Sequence, residues 1–408
     1  MATAAMTLAT SCSSDAVVED QQAANAIQFG VTTGNASRAA SYYCNNDKPD
    51  QFNVWAKVKQ QGDVFKTYFE DESYTRKTGA TTWTITSGIE RYWPNEEVSF
   101  YAAKNHDKDG AEFAVVNWNN GTPTIAFTAE KPVKVNASEQ QDLLYAYTVT
   151  SKTGSMVEGT KNKAVANLNF RHALSQVVFK AQNKNKNIYV EISEVQVANL
   201  KTTGTFTFPT NVTDDKSLND KHQQTGVIAD NDPSFGKWSG LGTTAAETTT
   251  GEFTAVPVLG DGVLVNLTNN EGTATGEGAE KLNEKANIIK SLIVLPQELG
   301  PAAYDQTNKW GDKAYFKVKC LVKNVAKGDG SKATADDVTL YDKYIYIPVN
   351  INWQVGKKYI YTFVFSEKGH AGYDEKGNDV LIPIEFNVTV DDFAKGVDAN
   401  VDADNGNA

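Results

Sequence analysis

The sequence is short of almost everything that usually carries chemistry. Of its 408 residues, 4 are histidine and 3 are cysteine. His106, His172, His222 and His370 stand far apart with no pair at metal-ligand spacing, and Cys12, Cys44 and Cys320 share no local motif. That spacing argues against a zinc cluster and predicts that Cys44 and Cys320 are free, buried thiols. No nucleophile elbow and no phosphate-cradling glycine loop is present. The loop at 105–110 begins with calcium-like spacing, but Val116 stands where a bidentate Glu is needed, so it reads as a hairpin turn. The polar stretch 374–379 reads as a turn as well. His172 falls in a strand-like segment and is expected to be a structural hydrogen-bonding residue. The sequence therefore supports no enzyme, no cofactor and no metal site.

Basic charge is scarce too. Lys and Arg number 39 against 50 Asp and Glu, a formal net charge of -11. A phosphate-backbone binder needs clustered Lys and Arg, so nucleic acid is excluded as a partner. No run approaches the ~18–20 apolar residues that a spanning helix requires. Helical periodicity is weak throughout.

What is abundant is short alternation. Phe52, Val54, Ala56 and Val58 alternate with Asn53, Trp55 and Lys57, which predicts a strand with one apolar face. Tyr359, Tyr361, Phe363 and Phe365 alternate, and so do Ile384, Phe386, Val388 and Val390. Ile188, Val190 and Ile192 give way to Val195 and Val197, a phase shift that predicts a bulge near Ser193 or Glu194. Aromatic and β-branched residues in brief runs between Gly, Asn and Asp predict an all-β chain. At this length two domains are expected. Residues 152–164 are rich in Lys, Gly and Thr and nearly free of large apolar residues, which places the boundary there. The division is then 41–160 and 161–393, followed by an acidic tail, 394–408, expected to be disordered.

The start carries an address. Thr7-Leu8-Ala9-Thr10-Ser11-Cys12 resembles a bacterial lipobox, with Cys12 the residue to be acylated and residues 1–12 a partial lipoprotein signal. No Lys or Arg precedes Cys12, which predicts a translation start upstream of Met1; a cytoplasmic tail beginning at Met1 is the alternative. Asp15, Glu19 and Asp20 follow soon after, resembling the export signal of surface lipoproteins in the Bacteroidetes. Residues 13–26 are small and polar, as suits a tether. Ile27, Phe29 and Val31 then share one face of an isolated strand near the terminus.

Several segments together resemble the fimbrillin family, the type V pilus subunits of Bacteroidales. They are Trp83, Tyr92-Trp93-Pro94-Asn95, Val98-Ser99-Phe100-Tyr101-Ala102 and Asp142-Leu143-Leu144. The run Leu168-Asn169-Phe170-Arg171-His172-Ala173-Leu174 follows, then Leu295-Pro296-Gln297, Trp353 with Gly356-Lys357-Lys358-Tyr359, and Phe386-Asn387-Val388-Thr389-Val390. The resemblance covers roughly residues 8–393. It implies two tandem transthyretin-like Greek-key β-sandwich domains, a surface-exposed location on the outer membrane or fimbrium, and assembly with other pilus subunits in support of adhesion. Outer-membrane lipid would be the partner of the acylated Cys12.

The same resemblance implies a mechanism. A sandwich lacking one strand exposes unpaired backbone groups and an apolar groove, which a neighbour's strand can fill. Ile27, Phe29 and Val31 would form the placeholder strand, with residues 13–40 as its tether and cleavage loop. An Arg-specific surface protease would cut between Arg38 and Ala39, and a donor strand at 381–393, carrying Ile384, Phe386, Val388 and Val390, would take the vacated place. Full burial of the first three side chains stabilises by roughly 5–9 kcal/mol, and of the second four by roughly 6–12 kcal/mol, as upper bounds. Three alternatives stand beside this: a permanent first strand at 27–31, a merely solvated Arg38, and a donor segment that closes its own domain. Phe393 stands where such sequences often have Trp, and the tail beyond has only Val397 and Val401 as larger apolar residues, so it cannot alternate into a groove. A pilus-tip or accessory role, binding glycan or host protein, is the competing function.

Overall fold

The computed structural model describes residues 25–33, 49, 51–104 (except 81, 87 and 88), 115–152 (except 119–121 and 138) and 164–210. It further describes 235–267 with short gaps, 291–367 (except 326–329 and 331), and 372–392 (except 381–383). The predicted features at Cys12, Arg38, Ala39, Cys44, His106, His222 and His370 lie outside the described residues.

In chain order the strands begin with β1 (Gln28–Thr33), β2 (Gln51–Lys59), β3 (Phe65–Arg76), β4 (Trp83–Ile85), β5 (Val98–Lys104), β6 (Val115–Asn117), β7 (Thr124–Phe127) and β8 (Leu144–Thr150). Next come β9 (Val165–His172), β10 (Ser175–Asn183), β11 (Ile188–Ala198), β12 (Lys201–Thr207), β13 (Lys237–Thr244), β14 (Glu247–Thr249), β15 (Val256–Val258) and β16 (Leu264–Asn266). The last are β17 (Leu292–Val294), β18 (Glu298–Leu299), β19 (Tyr315–Asn324), β20 (Thr339–Pro348), β21 (Ile351–Asn352), β22 (Lys357–Phe365) and β23 (Ile384–Asp392). The chain is all-β, as its alternation predicts. Among the described residues no helix is long and apolar enough to cross a membrane, which says nothing about strands.

Seven strands close into a ring in the order β1-β4-β3-β2-β5-β8-β9. Phe29, Phe52, Val54, Tyr74, Trp83, Phe100, Leu168 and Phe170 fill its interior. The C-terminal part is a sandwich. A sheet ordered β16-β10-β22-β23, with β17 also on β10, faces a sheet ordered β14-β11-β19-β20, with β15 also on β11. Phe179, Tyr361 and Phe363 of the first sheet meet Val190, Phe316 and Ile345 of the second in one core. The predicted bulge is there: pairing of β11 with β19 shifts between Ile192 and Glu194.

Two expectations meet differences. β2 is apolar on both faces rather than one, because Trp55 joins Tyr101, Tyr145 and Tyr147 outside the ring in a third core with Phe127, Phe206 and Ile293. And β9 pairs with β1 and β8 in the ring, so the chain passes to the sandwich sheets only after His172. A small sheet, β13-β12-β7-β6, also mixes strands from both halves of the sequence. The crossing at 173–174 is pinned. Ala173 N–H donates to Leu143 O at 2.8 Å, Gly356 N–H donates to Leu174 O at 3.0 Å, and Trp238 Nε1–H donates to Ala173 O at 2.6 Å.

Candidate functional site: the first and last strands

β1 sits inside the ring between β4 and β9. It runs parallel to β9 in an unbroken register from Gln28↔Val165 to Thr33↔Phe170, and meets β4 at Phe29↔Trp83. Ile27, Phe29 and Val31 are all buried, so the structure brings the three predicted residues together on the core face. Phe29 is 0 % exposed. Its ring lies edge-on to Tyr74 at 4.7 Å, Phe100 at 5.1 Å and Phe52 at 6.0 Å between centroids. Edge-to-face pairs contribute about 0.5–1.5 kcal/mol each beyond burial. Burial among these rings, with Glu72 nearby, pushes the Tyr74 phenol well above its usual range.

A strap that periodicity does not reveal holds the N-terminal end of this strand. Ile27 N–H donates to Arg91 O at 2.7 Å, and Trp93 N–H donates to Asn25 O at 2.9 Å. Lys152 Nζ donates to the Asn25 side chain. The strap is itself fastened to β3. Arg91 Nε donates to Glu72 Oε1 at 2.7 Å, its Nη2 contacts the same oxygen, and Tyr68 Oη donates to Tyr92 O at 2.5 Å. The hydrogen bond to Glu72 is the main reason the Arg91 pKa is raised. Trp93 packs edge-on to Phe100 at 5.7 Å inside the ring. Tyr92-Trp93-Pro94 is distinctive as a sequence motif, and its role here could have been suspected only from that.

β23 occupies a different setting. It pairs antiparallel with β22 from Lys357↔Asp392 to Phe365↔Ile384, at the edge of its sheet. Ile384 is buried and Phe386 half-buried, the latter 6.0 Å from Phe316 between ring centroids. Val388 and Val390 are 45 % and 55 % exposed. The last strand is thus seated in its own sandwich, but only its first half is covered.

The groups that might have suggested chemistry are structural. His172 Nδ1 hydrogen-bonds Asp142 Oδ2 where β9 ends. Cys320 is free and buried, and desolvation pushes its thiol well above the usual range. Asp374 accepts from Lys376 N–H and Asn378 N–H, each at 2.8 Å, forming the expected polar turn. A third bond, from Asn378 Nδ2 to Asp374 Oδ2 at 2.8 Å, is the main reason that its carboxyl is held below the usual range, and the two backbone bonds add to it. Among the described residues no three His, Cys, Asp or Glu side chains are grouped to hold a metal ion.

A seven-stranded ring completed by its first strand, joined through a shared aromatic core to a sandwich edged by its last, defines an all-β architecture. The fimbrillin-like family model matches residues 37–390. The chain belongs to that family. No curated protein matches it. Solved structures similar to it include a candidate cell adhesion protein from Bacteroides ovatus, with 14 % identity, 90 % of this chain and 97 % of that one covered, and a TM-score of 0.41. Another, from Bacteroides uniformis, has 14 % identity, coverage of 90 % and 98 %, and a TM-score of 0.38. The fimbrial anchor protein Mfa2 from Porphyromonas gingivalis has 10 % identity, coverage of 89 % and 98 %, and a TM-score of 0.33. Such scores support no transfer of residue roles.

Proposed function

We propose that the chain is a subunit of a cell-surface pilus, exported as a lipoprotein acylated at Cys12, held at the outer membrane and assembled by strand exchange after proteolysis. Membership of the fimbrillin-like family supports the pilus role. One observation carries the exchange reading: β1 is a complete core strand lying N-terminal to Arg38. A cut between Arg38 and Ala39 by an Arg-specific protease leaves β1 joined to the ring by side-chain burial and hydrogen bonds alone. Its departure opens a seat lined by Phe52, Tyr74 and Phe100 beside unpaired groups of β9, which a strand from another subunit satisfies. β23 of a neighbour, with Ile384, Phe386, Val388 and Val390, is the donor. It is an edge strand, so it peels from β22 without breaking another ladder, and its second half has little apolar cover to lose.

The ladder between β22 and β23 favours a second reading, in which β23 stays home and the chain accepts a strand without donating one. That is a tip or accessory subunit, presenting its surface to glycan or host protein. Treatment of the whole chain with an Arg-specific protease, with Arg38→Ala as control, separates the two. Polymers that require the cut support the stalk role; a stable cut monomer supports the tip role. Cutting elsewhere with polymers unaffected by Arg38→Ala overturns both.

A further inference from the structure

The chain carries one pattern twice. Residues 27–32 read Ile-Gln-Phe-Gly-Val-Thr, and residues 384–389 read Ile-Glu-Phe-Asn-Val-Thr. Both place Ile, Phe and Val at alternate positions in the same N-to-C order, and each lies in a strand that borders a sandwich or ring core. Resting on the exchange reading above, we propose that the β1 seat selects β23 of a second copy of this chain, in one register and one direction. β23 runs parallel to β9, with Ile384, Phe386 and Val388 in the places of Ile27, Phe29 and Val31.

The seat itself sets that register. Its centre is an aromatic slot, made by the rings of Tyr74, Phe100 and Phe52 around Phe29, with an aliphatic place on either side. A slip of one residue turns Glu385 and Asn387 into the core. A slip of two puts Ile384 or Val388 into the aromatic slot and forces Phe386 into an aliphatic place, combining a void with overpacking. In the proposed register Val388 falls opposite Leu168 and Val390 opposite Phe170, both buried core residues of β9. Val31 is 3 % exposed in that seat, whereas Val388 and Val390 are each about half exposed at home. The move therefore covers apolar surface that the donor's own sandwich leaves bare.

One contact on the outer face reports the register. Gly30 pairs with Asn167, and a Cβ on it would lie 2.5 Å from Asn167 Oδ1 and 3.3 Å from Val165 Cγ1. Asn387 would take the place of Gly30, so the exposed Asn167 side chain must turn aside to admit it. Asn167 then becomes the residue that senses what the incoming strand carries at this position.

Three substitutions test the seat without any exchange. Gln28→Glu, Gly30→Asn and Thr33→Val together make residues 27–33 identical to 384–390 in the intact chain. Urea unfolding should give an unfolding constant within tenfold of the wild type or smaller, and adding Asn167→Ala should lower it further. A rise of more than tenfold overturns the register, whatever becomes of exchange. Exchange is tested separately on the full chain, with a protease site inserted between 34 and 48 and cut. A synthetic peptide of residues 381–393 should displace a labelled 24–33 peptide, and Phe386→Ala in it should weaken displacement at least tenfold. With Cys12→Ser and Cys44→Ser in the chain, Asn167→Cys should form a disulfide with the Asn387→Cys peptide at least tenfold faster than with Glu385→Cys or Thr389→Cys. Trapping that favours either of the others contradicts the register. A 24–33 peptide that rebinds while the 381–393 peptide displaces none of it contradicts exchange itself.

Discussion

Phe29 is the side chain on which the β1 seat can be judged most simply. It is fully buried, on a strand outside the long segment that builds the rest of the ring, and three aromatic rings meet it edge-on. Phe29→Ala removes the ring, its three edge contacts and the apolar area they share, and Phe52, Tyr74 and Phe100 are too tightly placed on their own strands to close the space. A buried Phe→Ala change costs about 3–5 kcal/mol, and this site should fall in that range because collapse is resisted from three sides. Phe29→Leu, which retains most of the volume, should lose less than about 2 kcal/mol. The assay is urea denaturation followed by tryptophan fluorescence, since Trp83 and Trp93 both lie in the same core. A loss below about 1 kcal/mol for Phe29→Ala would mean that β1 does not fill the ring in solution, and the reasoning about an occupied seat would fail.

Other consequences follow from the surrounding groups. Arg91→Gln removes the charge that faces the half-buried Glu72 and loosens the strap; it should cost about 1–2 kcal/mol by urea denaturation and speed loss of the N-terminal segment after cutting. An effect on stability with no effect on segment loss would exclude the strap as a restraint on β1. Tyr361 is buried with its pKa pushed up to about 12 by desolvation. Its contribution is fully present below its unfolded pKa near 10 and is lost as pH rises towards 12, falling by about 1.4 kcal/mol per pH unit in that window. Tyr361→Phe should flatten that part of the alkaline stability profile. The Cys320 thiol should react with a thiol reagent only after unfolding, because burial removes both access and thiolate; rapid labelling of the native chain, in a Cys12→Ser, Cys44→Ser background, would contradict its placement.

The strands legible in the sequence are those whose alternation coincides with burial. β22 and β23 can be read this way because alternate large apolar side chains, Tyr359, Tyr361, Phe363 and Phe365 in one and Ile384 and Phe386 in the other, enter the sandwich core, and the bulge in β11 shows as a change of phase. β3 and β13 could not. β3 has aromatic and β-branched residues, but Lys66, Glu70, Asp71, Glu72 and Arg76 break any apolar alternation, and β13 reads Lys-Trp-Ser-Gly-Leu-Gly-Thr-Thr, which is poor in strand formers. They are strands because β2 and β12 supply long ladders for them to complete. Trp55 was misleading for a related reason. Its face of β2 looks polar between Asn53 and Lys57, and only the distant Phe127, Phe206 and Ile293 make it a second core face.

At the candidate site, the alternation of Ile27, Phe29 and Val31 was enough to place them on one face, but not to find their neighbours. The parallel partner β9 is far along the chain, and the strap at Arg91–Trp93 acts through backbone groups that no side-chain pattern reveals. The home seat of β23 was equally hidden, since its inward register against Tyr359, Tyr361 and Phe363 is a property of two strands together.

The central claim is that β1 holds a seat which a neighbour's β23 takes over on assembly. The most direct test is the structure by electron cryomicroscopy of polymers formed after protease treatment. Density beside β9 should then be continuous with a neighbouring subunit's residues 384–390, with its Phe386 ring among Phe52, Tyr74 and Phe100. A seat still filled by the subunit's own Gln28–Thr33, in polymers joined elsewhere, would contradict it.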